Sequence, residues 1–304
     1  MSNLQAPSLA NTPSIASSAM LVELNISQWT ARKKDSRASD EVTANKYADK
    51  GTASVSKKLL GNCPELDAIK KFATAARTTH YSMTMPWSDN GLRLLPTTQY
   101  AEYHNEMTRL QNEFAALVTA FTTKYEWEVV HAQAKLGDLF LRDDYPTTES
   151  IERKFDFRMA YIPLPEAGDF RVDVGNEQRE VLETHYSEYY TKQIESAMGD
   201  VWQRVHKALS AISDRLDEPT ADDKTNKRGH KIFRESLVDN ALSLLPLLST
   251  CNVTGDSQME ALRLRLDDTL RGVTYDSLSH SSVQRAQTKR AADDMLASLP
   301  TLDW

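Results

Sequence analysis

The chain has 304 residues, of which 40% are hydrophobic and 26% charged, with 10 Gly, 11 Pro and a formal net charge of −7. This length suits one or two domains, and so little glycine favours helices over many short strands. No apolar run approaches the roughly 18 residues of a membrane span, no Lys or Arg precedes an apolar stretch near the start as in a secretory signal, and Cys63 and Cys251 lack the spacing of a zinc or redox pair. A soluble intracellular protein with reduced, structural thiols is expected.

Met1 to Met20 is rich in Ser, Ala, Asn and Pro without any period, which predicts a flexible tail over residues 1–20. Leu21-Val22-Glu23-Leu24-Asn25-Ile26 alternates apolar and polar residues and predicts a short half-buried strand. From Asp40 to Leu60 a weak helical pattern is interrupted by Gly51 and several Ser and Thr. Asn62-Cys63-Pro64-Glu65 opens a helix to about Tyr81, because proline is tolerated in the first turn and glutamate complements the positive end of the dipole. Pro86, Gly91 and Pro96 mark a loop.

A long helix follows from about Gln99 to Leu136. Tyr103, Met107, Leu110, Phe114, Leu117, Val118, Phe121, Tyr125 and Val129 recur every three or four residues, and Gly137 stops it. Phe155, Phe157, Met159 and Tyr161, then Phe170, Val172 and Val174, alternate with polar residues around the turn-rich segment Pro163 to Gly168, which predicts a β-hairpin or ribbon near 155–174. A second long helix is expected from Glu177 to Leu216, buried through Val181, Leu182, Tyr186, Tyr189, Ile194, Met198, Val201, Val205, Leu209 and Ile212. Beyond a polar linker from Asp217 to Gly229, three shorter helices are expected near Lys231–Leu248, Ser257–Arg271 and Ser281–Leu299; Ser257 with Glu260 and Ser281 with Gln284 have capping-box spacing.

The chain contains none of the patterns GxxxxGK[ST], GxGxxG, HExxH or GxSxG, so no enzyme, cofactor or metal site is expected from motifs. The seven histidines never stand in metal-ligand spacing with a carboxylate, and the doublets Asp143-Asp144, Asp222-Asp223, Asp267-Asp268 and Asp293-Asp294 read as helix ends or solvated faces. Charge is distributed unevenly. Between Arg32 and Arg77 there are eleven basic residues against six acidic, while everything after Arg77 carries a net −11. Such an asymmetry fits a polyanion-binding segment on an acidic body, or simply a solvated face.

Aromatic residues lie among these cations. Trp29 precedes Arg32, Lys33, Lys34 and Arg37; Lys46 precedes Tyr47; Lys57 and Lys58 follow; and Arg77, His80, Tyr81, Trp87 and Arg93 lie within seventeen residues. Cations that neutralise phosphates and flat side chains that stack on splayed bases are what a single-strand binder needs. The candidate nucleic-acid contacts are therefore Arg32, Lys33, Lys34, Arg37, Lys46, Lys57, Lys58, Arg77, Tyr81, Trp87 and Arg93. Trp29, Tyr81 and Trp87 read equally as core anchors.

Three segments carry a resemblance: Ala76 to His80 and Tyr81 through Met85-Pro86-Trp87-Ser88-Asp89-Asn90-Gly91 to Pro96; Phe170-Arg171-Val172-Asp173-Val174-Gly175; and Phe233-Arg234-Glu235-Ser236-Leu237-Val238-Asp239-Asn240. Over about Leu21 to Leu299 the chain resembles a tailed-phage family that includes the Drc-type single-stranded-DNA-binding cofactors of phage RNA polymerases. The resemblance implies single-strand binding in middle-gene transcription or replication, within the host cytoplasm, with a phage polymerase or replication proteins as partners and no membrane; homo-oligomerisation is left open. The alternative is an adaptor of a phage-encoded ring ATPase that binds no DNA.

The fold expected is mainly α with a small β-hairpin or ribbon (α+β), its long helices packed as a bundle and not an OB fold. Its parts are the tail at 1–20, a basic segment at 21–96, a helical body at 97–299 and a tip at 300–304. The tip ends in Asp303 and Trp304 and resembles the acidic, aromatic-ended tips with which many single-strand binders recruit partners, so these two residues are candidate partner contacts.

Overall fold

The computed structural model describes residues 15–164, 176–218, 231 and 233–300. In chain order it contains α1 (Ile15–Ser18), β1 (Ala19–Ser27), β2 (Arg32–Asp35), α2 (Ser36–Asn45), β3 (Val55–Lys58), α3 (Pro64–Met83), β4 (Met85–Pro86), β5 (Arg93–Pro96), α4 (Tyr100–Leu136), α5 (Thr148–Glu152), β6 (Asp156–Pro163), α6 (Asn176–Leu216), α7 (Ser236–Leu242), α8 (Leu244–Thr250), α9 (Ser257–Leu270), α10 (Tyr275–His280) and α11 (Ser282–Ala297). Short 3₁₀ turns flank α4 and follow it. The protein is thus mainly helical with two small sheets, one of order β4-β5-β1-β6 and one a two-stranded ribbon of β2 and β3. Among the described residues no helix is long and apolar enough to cross a membrane.

The chain forms two compact units that do not follow a division at residue 96. One comprises Met1–Val22, Met83–Tyr100 and Tyr161–Trp304, the other Glu23–Ser82 and Ala101–Ala160. Strand β1 contributes its first residues to one and the rest to the other.

In the first unit, Ala19 to Val22 of β1 pair antiparallel with Pro96 to Arg93 of β5, and β5 continues onto β4. A core of Leu21, Met85, Trp87 and Leu94 joins the buried face of α6, including Ala197, Val201, Val205 and Leu209, and the short C-terminal helices. Each buried Leu, Val or Met side chain among these contributes about 1.5–3 kcal/mol by leaving water. Val181 and Tyr189, counted on the buried face of the second long helix, are exposed. Residues 15–20, expected within the flexible tail, belong to the fold: Ile15 and Ala19 are buried, and Met20 pairs with Leu95; residues 1–14 lie outside the described residues. Three small elements differ from the expected C-terminal helices. Residues 231–248 hold two helices that break at Ser243; Asp256, not Ser257, caps α9 by accepting from the Gln258 and Met259 N–H groups; and Thr274 with Ser277 forms a capping box for α10. Ser281 caps α11 as its spacing predicts.

The second unit is organised by α4. Its residues Tyr103, Met107, Leu110, Phe114, Val118, Phe121, Tyr125, Val129 and Ala132 are buried. They meet the buried face of α3 and the strand β6: Phe114 lies 5.8 Å from Phe157 and 6.5 Å from Phe72 between ring centroids. Trp29 stands edge-on to Tyr125 at 5.9 Å. Of the expected hairpin near 155–174 the first strand is β6, placed at the sheet edge beside β1; its expected partner, residues 170–174, lies outside the described residues.

Candidate nucleic-acid interface

Strand β2 is Arg32-Lys33-Lys34-Asp35, and its side chains alternate between the two faces of the ribbon. Its antiparallel register places Arg32 opposite Lys58, Lys33 opposite Lys57, Lys34 opposite Ser56 and Asp35 opposite Val55. The ladder extends by one residue, since Leu59 N–H donates to the Ala31 carbonyl at 2.8 Å. One basic segment is thereby sorted into two faces with different surroundings.

On the inner face Lys57 is buried, with 4% of its side chain exposed; its Nζ lies 2.7 Å from Asp144 Oδ2 and 3.0 Å from Asp35 Oδ2, and donates to the Leu139 carbonyl at 2.7 Å. Lys33 Nζ sits 2.7 Å from the other Asp144 oxygen. Burial pushes the Asp144 carboxyl up, but hydrogen bonds from Lys33 and Lys57 outweigh it and hold the group below the ordinary carboxylate range. Asp35 is also held low, first by the Ala38 backbone N–H, which it caps at 3.0 Å as the N-cap of α2, and then by Lys57. Burial pulls Lys57 down, and its two carboxylate partners more than reverse this. A buried ammonium with two carboxylates and a carbonyl around it has no donor left for a phosphate, so the expected contact at Lys57 is corrected to a structural role. Lys33, half-exposed, shares that role.

On the outer face Arg32, Lys34 and Lys58 are exposed, with Ser56 beside them. Among the described residues none of the three makes an ion pair. Like charges opposite each other on a ladder destabilise it. Arg37 adds a fourth exposed cation in the first turn of α2, which holds no acidic residue and where a cation opposes the helix dipole. Lys46 closes α2 and is exposed. Next to it Tyr47 is 99% exposed and adopts φ 52°, a left-handed conformation unusual for a bulky residue. Such an aromatic ring, packed against nothing, is available for stacking.

Of the other expected contacts, Arg77, Arg93 and Trp87 are occupied elsewhere. Arg77 donates to the Ile26 carbonyl at 2.7 Å, and Arg93 is held by Thr84 through Nε to the hydroxyl at 2.6 Å and Nη2 to the carbonyl at 3.0 Å. Both guanidiniums satisfy buried backbone in place of phosphate. Trp87 is 5% exposed and packs edge-on against Tyr190 at 5.4 Å, so it is a core anchor, as is Trp29. Tyr81 is half-exposed but leans on His80, whose ring nitrogen lies 2.8 Å from the Tyr103 hydroxyl. Asp303 and Trp304 lie outside the described residues. Three of the acidic doublets are matched by cations or hydroxyls: Asp144, its side chain buried and so not on the solvated face expected, by Lys33 and Lys57 of the ribbon; Asp267 and Asp268 by Arg271; and Asp293 by Lys289 and Ser213. Sequence reasoning missed the pairing of β2 with β3 and the isolation of Tyr47; the alternation Arg32/Lys34 against Lys33/Asp35 was the available signal for the first.

Residues 17–216 match the family model described as "Protein of unknown function (DUF3150)". No curated protein and no solved structure matches the chain.

Proposed function

The chain belongs to the DUF3150 family, which covers residues 17–216, and we propose that it binds single-stranded DNA through the outer face of the β2–β3 ribbon. The observation that carries this reading is the set Arg32, Lys34 and Lys58, exposed together on one ladder and without carboxylate partners among the described residues. A polyanion converts their mutual repulsion into binding energy and releases counterions from the strand. Arg37 and Lys46 extend the positive surface, and Tyr47 supplies a flat face for an unstacked base. Bases within a duplex hide their faces, so the exposed ring favours single strands; a two-stranded ribbon that entered a major groove would favour duplex instead.

A role as a cofactor in phage middle-gene transcription or replication, in the host cytoplasm, rests on the resemblance of the segments around 76–96, 170–175 and 233–240. A second reading, the adaptor that binds protein and no DNA, is supported by an exposed strip on α4. Trp127 is 58% exposed, Val130 is also exposed, and the Trp127 ring stacks on His131 at 3.6 Å between centroids.

Fluorescence-anisotropy titrations of single- and double-stranded oligonucleotides at several salt concentrations separate these readings. Tighter binding of the single strand, weakening by about 0.7 in log K per log salt for each phosphate contacted, is the expected result. Duplex preference, salt-insensitive binding or absence of binding overturns it.

A further inference from the structure

We propose that Cys63, Glu65 and Glu128 form a binding site for a borderline divalent cation, zinc being the best match. Cys63 immediately precedes α3, Glu65 lies in its first turn, and Glu128 comes from the buried face of α4. The Cys63 sulfur and one carboxylate oxygen from each glutamate lie within 4.8 Å of one another. Oxygen and sulfur ligands at zinc's usual bond lengths stand roughly 3.3–3.6 Å apart, so a small side-chain rotation closes the set.

Glu128 is the independent observation. Its residue is 5% exposed, and among the described residues no hydrogen bond or ion pair reaches its carboxylate. A largely buried carboxylate that makes no hydrogen bond is poorly compensated and favours a cation that can reach it. Lys124 forms a short ion pair with Glu65 and also acts on Glu128 through its charge. Two carboxylates and one ammonium leave one negative charge unmatched. A divalent cation that displaces the thiol proton makes the whole group neutral. A thiolate with two carboxylates suits zinc better than calcium or magnesium, which take oxygen ligands alone. Three protein ligands leave a fourth position for water or a further ligand.

The sequence hides this site because Glu128 is sixty-five residues from Cys63, and only the packing of α3 on α4 unites them. The test uses the untagged full chain, stripped with a chelator and titrated with zinc against a chromophoric competitor. One equivalent should bind. Glu128→Gln, which keeps the shape of the side chain, and Cys63→Ser should each weaken binding at least about 10-fold. Lys124→Ala should tighten it, because its ammonium competes for Glu65. Cobalt(II) in the wild-type chain should show a thiolate-to-metal charge-transfer band that Cys251→Ala retains and Cys63→Ser loses. No zinc beyond the protein-free control, no such band in the wild type, or undiminished affinity in Glu128→Gln overturns the assignment. Should Cys63→Ser fail to fold, the wild-type cobalt spectrum and Glu128→Gln still decide.

Discussion

Arg32 and Lys58 stand directly opposite one another on the β2–β3 ladder, and the next residue of each strand, Lys33 and Lys57, turns to the other face, where both bind Asp144. These four cations, two adjacent pairs in sequence, thus divide into a pair that holds the ribbon onto the protein and a pair that faces solvent. Mutating one face should change stability and mutating the other should change binding.

Lys58→Ala removes repulsion from Arg32 without exposing any apolar surface. Its stability should rise by about 0.5 kcal/mol, while single-strand affinity falls and the salt slope drops by roughly 0.7 for a lost phosphate contact. Urea denaturation and anisotropy titration measure the two effects. A loss of stability would mean that Lys58 has a favourable partner in the folded protein.

Lys57→Met should cost about 3 kcal/mol, because it leaves the Asp35 and Asp144 carboxylates covered and without their ammonium. The effect should depend on pH. Asp35 and Asp144 are held below their ordinary 3.8, so they contribute stability above that value and lose it as pH falls through the lowered one. Lys57 is held above its ordinary 10.5, so its contribution is complete below that value and is lost as pH rises beyond. The melting-temperature gap between wild type and Lys57→Met should be flat from about pH 5 to about pH 9 and narrow in stronger acid. A gap that widens in acid would contradict the ion-pair network.

Tyr47→Ala should leave the melting temperature nearly unchanged, since the ring touches nothing and φ 52° suits no large side chain. Single-strand binding should weaken by about 1–3 kcal/mol, the usual contribution of one stacked base. Tyr47→Phe should keep the affinity. Equal binding by Tyr47→Ala would remove the stacking platform from the interface.

Trp87→Ala tests the opposite assignment. Loss of a buried ring that packs on Tyr190 should cost about 3–5 kcal/mol of stability. At a temperature where the variant is folded, its single-strand affinity should equal that of the wild type in anisotropy titration. Weaker binding by a folded variant would return Trp87 to the interface.

Local physics was legible in the sequence wherever one periodicity ran long enough. The three- and four-residue spacing from Tyr103 to Val129 marks α4, because it records a single face turned from water, and Pro64 with Glu65 marks the start of α3 because both suit a first turn; the alternation over Leu21 to Ile26 marks β1, although Leu21 and Val22, on its opposite faces, are both buried. The basic character of Arg32 to Lys58 was equally plain. What the sequence could not express is which cation meets a carboxylate. That depends on the register of two four-residue strands, too short for a pattern of their own, and on Asp144, which is brought to Lys57 from 87 positions away. The same holds for Trp87 and Arg93, whose types suit a nucleic-acid surface but whose partners, Tyr190 and Thr84, make them core and scaffold. Residue type and spacing determined the elements and the overall charge; burial and pairing, which are properties of long-range packing, decided which of the charged and aromatic side chains remain available to a ligand.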